Sequence, residues 1–407
     1  MKRLYALITA VTLVLTACSA GATPATTTTE APSAEPSVTT TAADKTAVPE
    51  PILIGFAGDF SDIYSFYDSP VREGAELAVA EINAAGGVLG RPLEFVARDG
   101  RNNQDETMRA TQELIDQGAA YLIGTSGDPF LAQASLACAA GIPISTGDGT
   151  APTLVGDAGP CAFQTIMSDN LQGAVDAEYA WSQGYKTAYM LRSTEIPYTN
   201  DLPTYFAAAF EHAGGKILGE DVYRIDAGDY NVQVTAIAAL DPAPDVIFTP
   251  MFIPDTPVFL RQLRAAGIEI PVLSTDGAVD ASILEAGDAV EGLVATTHAW
   301  PADDNAMAKF YAKYKEATGA DPESPVVAIG YDEIYIVKQI IEDAGSTDPA
   351  AMITALLALT GFQGVTGSLS MDPTTRRVDK EVTLVEISGG EIRFLDQFMP
   401  GFIPQVG

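Results

Sequence analysis

The chain has 407 residues, with 22 basic against 54 acidic side chains and a net charge of −32 at pH 7. An excess of that sign excludes nucleic acid as the default partner and discourages close approach to anionic lipid. It keeps a surface solvated, and it also sets a field that favours cationic ligands.

The first seventeen residues read as an address. Lys2 and Arg3 precede an apolar run over 4–15, and "TAC" follows at 16–18. That is the plan of a secretory signal peptide over 1–17, too short to span a bilayer as a helix. The quartet "LTAC" at 15–18 resembles the bacterial lipobox. The resemblance implies cleavage before Cys18 and lipidation of its thiol. Several acyl chains, each adding about 0.8 kcal/mol per buried CH₂, make a durable anchor to the outer face of the cell membrane. A plain secreted protein is the alternative. Residues 18–49 form a Thr/Ala/Pro-rich tether that cannot bury enough surface to fold. Its flexible length spans roughly 30 Å root-mean-square. Without Lys2 and Arg3 the remainder carries 20 basic and 54 acidic residues, a net charge of −34.

From residue 51 the chain is long enough for two domains, and short β-branched runs alternate with helical patterns. "ILIGFAG" (52–58) reads as a strand. A helix over 69–87 follows, with Ala75, Ala78, Val79 and Ile82 on one face and Gly86 or Gly87 as its stop. Next come a strand over 93–99, a helix over 105–118, and strands over 120–124 and 142–145. The alternation resumes with a strand at 187–192, a helix at 203–213, a strand at 245–250, a helix at 257–266 and strands at 271–275 and 382–388. Such alternation with short connections gives parallel sheets covered by helices, here in two successive runs. Ligands of open parallel sheets bind beyond the carboxyl ends of the strands. The loops to read are therefore 59–68, 125–129, 146–152, 193–200, 251–256 and 275–279.

With Cys18 assigned to the anchor, Cys138 and Cys161 remain, and export makes a disulfide between them the expected state. Closing a loop of about 23 residues adds roughly 3 kcal/mol in the chain-entropy model. The chain has two histidines, His212 and His298, and no Cys/His cluster. No metal and no cofactor is expected.

The stretch "EGAELAVAEINAAGGVLGRPLEFVARD" (73–99) is followed in order by "TQELIDQGAAYLIG", "AAGIPIS", "FQTIMSDNLQG", "FLRQLRAAGIEIPVLSTDG" and "AIGYDEIYIVKQII". Together they resemble the leucine/isoleucine/valine-binding protein family over roughly 50–395. These are substrate-binding proteins of ABC importers with the type I periplasmic-binding fold. The resemblance implies an α/β protein of two Rossmann-like lobes, parallel sheets flanked by helices, joined by a three-crossing hinge. The crossings are expected near 165–169, 297–301 and 370–380. Lobe 1 is then 50–167 plus 299–372, and lobe 2 is 168–298 plus 373–407. A monomer that closes on a solute and is read by a membrane permease is the implied working unit.

In that family the loops matching 125–129 and 146–152 hold a ligand carboxylate with hydroxyls and free N–H groups. Here Ser126 and Thr150 supply hydroxyls, but Asp128 stands where the family usually has Ser. Asp128-Pro129 is also a good helix N-cap with proline at the first helical position. Asp148 adds a second acid, in a loop where it also suits a turn beside Gly147 and Gly149. Asp276 matches the family's acid for a ligand ammonium, and Asp-Gly also suits a turn. Tyr67, or Phe66 beside it, Tyr198 and Phe252 match aromatic positions, which in each case also suit ordinary packing. A cleft of Tyr67, Ser126, Asp128, Asp148, Thr150, Tyr198, Phe252 and Asp276, with no arginine among them, fits an amine, amide, urea-like or other polar neutral solute. An aliphatic amino acid held by Thr150 and backbone N–H groups is the alternative.

An enzyme finds little support. There is no G-x-S-x-G elbow, and "GDGTAP" ends in Pro152 where a dinucleotide fingerprint needs Gly or Ala. His212 and His298 have no nucleophile nearby in sequence. A sensory receptor needs only the same closing cleft and stays open as a reading.

Overall fold

The β-branched runs after residue 51 form a parallel sheet, because each is followed by a helix that carries the chain back over one face. In a computed structural model of the protein, residues 49–406 are described, apart from Asp128 and Asp157. The signal peptide 1–17, all but the last residue of the tether, Cys18 and Asp128 lie outside the described residues. Strands β1 (Ile52–Gly58), β2 (Leu93–Asp99), β3 (Tyr121–Gly124), β4 (Ile144–Thr146) and β5 (Ala162–Phe163) lie in the order β2-β1-β3-β4-β5, all parallel. They alternate with helices α1 (Ser65–Ala84), α2 (Gln104–Asp116), α3 (Phe130–Ala140) and the single turn α4 (Thr153–Gly156). Helix α1 starts four residues before the expected position. Its buried face runs Asp68, Val71, Ala75, Ala78 and Ile82, so an acid begins an otherwise small and apolar stripe.

The second half repeats the pattern. Helix α5 (Asp169–Ser182) is followed by β6 (Thr187–Arg192), α6 (Pro197–His212), β7 (Lys216–Val222), α7 (Asn231–Ala238), β8 (Val246–Phe248), α8 (Asp255–Ala265), β9 (Val272–Ser274) and β10 (Val294–Thr297). Helix α6 begins six residues earlier than the sequence pattern suggests, with Pro197 at its start and Pro203 inside it. Proline at 203 cannot donate to the Thr199 carbonyl. That carbonyl instead accepts from the Ser193 N–H at 3.3 Å, so the helix runs through.

Helices α9 (Ala306–Thr318), α10 (Val327–Ala344) and α11 (Pro349–Leu357) then return to the first sheet. Phe310, Ile334, Val337 and Met352 share one buried core with Ile54, Phe56 and Tyr121. Helices α1 and α10 cross with their backbones in contact. A Cβ on Gly74 would lie 1.8 Å from the Val327 carbonyl oxygen, and one on Gly330 would lie 1.8 Å from that of Val71. Strands β11 (Phe362–Gly364), β12 (Gly367–Asp372) and β13 (Arg377–Asp379) make a small antiparallel sheet whose Leu369, Met371 and Val378 join the same core.

The last strands belong to the second sheet. It has the order β15-β14-β10-β9-β8-β6-β7, with β14 (Val382–Ser388) and β15 (Glu391–Phe398) antiparallel to their neighbours. The sequence reading stops its strands at 388. The chain instead turns at Gly389-Gly390, both with positive φ, which is the backbone a two-residue hairpin needs. Three segments thus connect the sheets: 164–168, 298–305 and 380–381.

Two adjacent acids of α10 fix these connections. Glu333 accepts from Tyr121 Oη at 2.7 Å, Ser145 Oγ at 2.6 Å and the Thr165 hydroxyl of the first connection. Asp332 accepts from the Val365 and Thr366 amides and the Thr366 hydroxyl, which in turn accepts from Lys380 Nζ at 2.9 Å in the third. Burial pushes the Lys380 ammonium down to about 8. Cys138 of α3 and Cys161 before β5 form a disulfide with Cα atoms 5.3 Å apart. Among the described residues no helix is long and apolar enough to cross a membrane.

Candidate functional site

The carboxyl ends of β1, β3 and β4 on one sheet face those of β6, β8 and β9 on the other, and the loops between them enclose a cavity with about 530 Å³ of empty space, partly open to solvent. Tyr67, Ser126, Asp148, Thr150, Tyr198, Phe252 and Asp276 all line it. Seven of the eight ligand-contacting residues expected from sequence therefore meet in one place; the eighth, Asp128, is outside the described residues. Leu154, Ile196 and Pro197 add an apolar wall that the sequence reading did not assign.

A residue the sequence reading missed governs the loop after β3. Asp68, in the first turn of α1, is wholly buried and aims its carboxylate at that loop. It accepts from Ser126 Oγ at 2.6 Å, Ser126 N at 3.1 Å, Thr125 Oγ1 at 2.7 Å and Asp59 N at 2.7 Å. Burial pushes Asp68 up to about 7 against the pull of these donors. Its signal was in the sequence, since it sits in register with the buried stripe at 71, 75, 78 and 82. An acid in such a position needs buried donors.

The loop after β4 behaves alike. The Asp148 N–H donates to Ser126 Oγ at 3.1 Å. Asp169, at the start of α5, donates its N–H to the Thr150 carbonyl at 3.0 Å, and burial pushes its carboxyl well above its usual range. The Ser126 hydroxyl is thus engaged by a carboxyl group of the chain itself, while Thr150 lines the cavity next to the start of α5.

Opposite, Asp276 opens the 3-10 turn Asp276–Ala278 after β9. Tyr198 Oη donates to its Oδ1 at 2.9 Å and accepts from Gly277 N at 3.2 Å. Gln172 of α5 supports the turn, accepting from Asp276 N at 3.3 Å and Thr296 Oγ1 at 2.8 Å. Tyr67 Oη donates to the Gly277 carbonyl at 3.1 Å, joining the two halves directly. Burial raises both phenols well above their usual pKa, so they stay protonated donors. The Phe252 ring lies 6.3 Å from those of Tyr67 and Tyr198, which leaves aromatic faces along the cavity.

His298, the first residue after β10, sits behind these acids and is 1 % exposed. Its Nε2 lies 3.2 Å from Asp276 Oδ2, a hydrogen bond, and 3.1 Å from Asp148 Oδ1. Burial works to lower its pKa, but the two carboxylates outweigh burial and raise it. Burial pushes Asp148 up to about 6, with His298 opposing. No local pattern marks His298, because its partners are distant in the chain.

A profile of the periplasmic binding protein family matches residues 51–391. The chain is a periplasmic binding protein. Its relatives include a leucine-, isoleucine-, valine-, threonine-, and alanine-binding protein of Pseudomonas aeruginosa, 27% identical over 79% of this chain and 86% of that one. A leucine binding protein from Thermotoga maritima is 26% identical with a TM-score of 0.77, covering 86% of this binding protein and 99% of its own chain. A solute binding protein of an ABC transporter from R. palustris, in complex with 4-hydroxybenzoate, has the same TM-score at 24% identity, covering 86% and 98%, and shares the fold. Members of this family bind small solutes for ABC transporters outside the cytoplasm and are not enzymes.

Proposed function

We propose that this binding protein captures a small cationic or uncharged polar solute, such as an amine, amide or urea-like compound, in the cavity between its sheets. It then presents the closed, loaded form to an ABC permease. The observation that carries this reading is that both donors of Ser126, its N–H and its hydroxyl, are held by Asp68. A ligand carboxylate arriving there would meet the Asp68 carboxyl group in place of free Ser126 donors. Among the described residues no lysine or arginine lines the cavity to hold a carboxylate instead. A charge-assisted hydrogen bond from a ligand N–H to Asp148 or Asp276 contributes about 1.5–3 kcal/mol. The rings of Tyr67, Tyr198 and Phe252 add cation–π attraction.

The same reading has two lobes, 50–167 plus 299–379 and 168–298 plus 380–407, closing about the three connections; the boundary expected at 372/373 moves to 379/380 because Val378 of β13 packs in the first core. The protein works as a monomer held by lipid on Cys18, with the tether lifting it off the membrane. Calorimetric titration with amines, amides and urea beside leucine, isoleucine, valine and 4-hydroxybenzoate tests the solute. Binding confined to the first group supports the proposal; tight binding of the carboxylates alone defeats it. An aliphatic amino acid is the second reading, favoured by the names of the Pseudomonas and Thermotoga proteins and by the wall of Leu154, Ile196 and Pro197.

A further inference from the structure

We infer that the cleft also holds a divalent transition-metal ion on Asp148, His298 and Asp276. One ligand atom from each lies within 4.8 Å of the others, and all three side chains are more than nine-tenths buried. The atoms come from three separate parts of the fold: the loop after β4, the turn after β9 and the connection after β10. Bonds of about 2.0–2.2 Å to oxygen and nitrogen put neighbouring ligand atoms about 2.8–3.6 Å apart, the short end at octahedral and the long end at tetrahedral angles. The 3.1 and 3.2 Å separations from His298 Nε2 fall in that range.

A second observation is independent of that clustering. One N–H on Nε2 serves one acceptor, and it goes to Asp276. Asp148 Oδ1 is left buried with no hydrogen bond, its one polar neighbour being that Nε2 at 3.1 Å, and His298 Nδ1 on the far side of the ring has no partner either. An unpartnered buried carboxylate oxygen is costly. A divalent ion with neutral imidazole satisfies both oxygens at once and balances two carboxylates in charge. Two oxygens and one imidazole suit zinc, iron or manganese better than calcium or magnesium. Asp148 and Asp276 line the cavity, so the remaining coordination positions open toward it. An amide or urea oxygen of an uncharged solute can fill one, which narrows the proposed solutes to the uncharged class when the ion is bound, yet the ion site stands on these three side chains whatever the solute is.

The test uses the folded protein, stripped with chelator and dialysed, and titrates it with Zn²⁺ or Mn²⁺ alone, with Ca²⁺ for comparison. One ion per chain, with Asp148→Asn and His298→Gln each weakening affinity by about 100-fold or more, supports the site. That loss is at or beyond the upper end of what removing an outer-shell partner costs, about 10–100-fold. Melting curves without metal establish that the variants fold, and a metal-induced rise in the melting temperature of the unaltered protein gives a readout that needs no variant. No stoichiometric binding and no thermal shift, or binding unchanged in both variants, overturns it. Since no solute is present, failure here leaves the solute assignment to its own titration.

Discussion

Replacing Asp68 with alanine should convert the cleft toward ligands that carry a carboxylate. In the unaltered protein the Asp68 carboxylate takes both donors of Ser126 and the hydroxyl of Thr125. Ser126 lines the cavity, so its N–H and hydroxyl become available to a solute once the acid is gone. Two charge-assisted hydrogen bonds at about 1.5–3 kcal/mol each give roughly 3–6 kcal/mol of gross attraction. Relaxation of the loop, which also loses the contact to the Asp59 amide, takes back a share. Retaining only one bond at the low end, about 1.5 kcal/mol, still corresponds to about tenfold in Kd. The assay is calorimetric titration with leucine and isoleucine against the unaltered protein and Asp68→Ala, with melting curves to establish that both are folded. The expectation is affinity at least about tenfold tighter in the variant. Tight leucine binding by the unaltered protein that disappears in a folded Asp68→Ala would refute the reasoning, because Asp68 would then be supporting a carboxylate site rather than filling it.

The same residue shapes stability against pH. Burial raises its pKa to about 7 in the folded protein, above an unfolded value near 3.9. The folded state then binds the extra proton, so stability falls as pH rises from about 4 to about 7 and levels off above. About three pKa units correspond to on the order of 4 kcal/mol. Denaturant midpoints should show Asp68→Asn gaining by that order relative to the unaltered protein between pH 4 and pH 8. A constant difference between the two means the four donors fully offset burial and would refute the raised pKa. Reducing the disulfide, or Cys138→Ala with Cys161→Ala, should cost roughly 3 kcal/mol in the chain-entropy model, read by chemical denaturation. Gly330→Ala should destabilise by about 1–3 kcal/mol or more, since its methyl would overlap the Val71 carbonyl; an unchanged melting temperature would mean that α1 and α10 separate freely. Cys18→Ala should move the protein from the membrane fraction to the soluble one in cell fractionation, and retention on the membrane would refute the anchor.

Local pattern carried the alternation of strands and helices because each element announces itself within a few residues. Val71, Ala75, Ala78 and Ile82 trace one helix face, and Gly86, Gly118, Gly214 and Gly267 take the positive φ that ends a helix. Seven cavity residues were legible through the family pattern of their loops. Asp68 was readable in principle and was missed because helix α1 was begun one residue after it. The early start of α6 was hidden by Pro203, whose tolerance depends on a bond from Ser193 that no local rule reveals. His298 was illegible for a different reason. Its meaning comes from Asp148, 150 residues before it, and Asp276, 22 before it, and only the closing of the two sheets brings the three together.

The most direct measurement is a crystal structure of the protein with the solute it carries from its native host. The expected result has the Ser126 hydroxyl still on Asp68 and the solute's nitrogen or carbonyl atoms toward the edge formed by Asp148 and Asp276. A solute carboxylate accepting from Ser126 and Thr150, with Asp68 turned away, would contradict it.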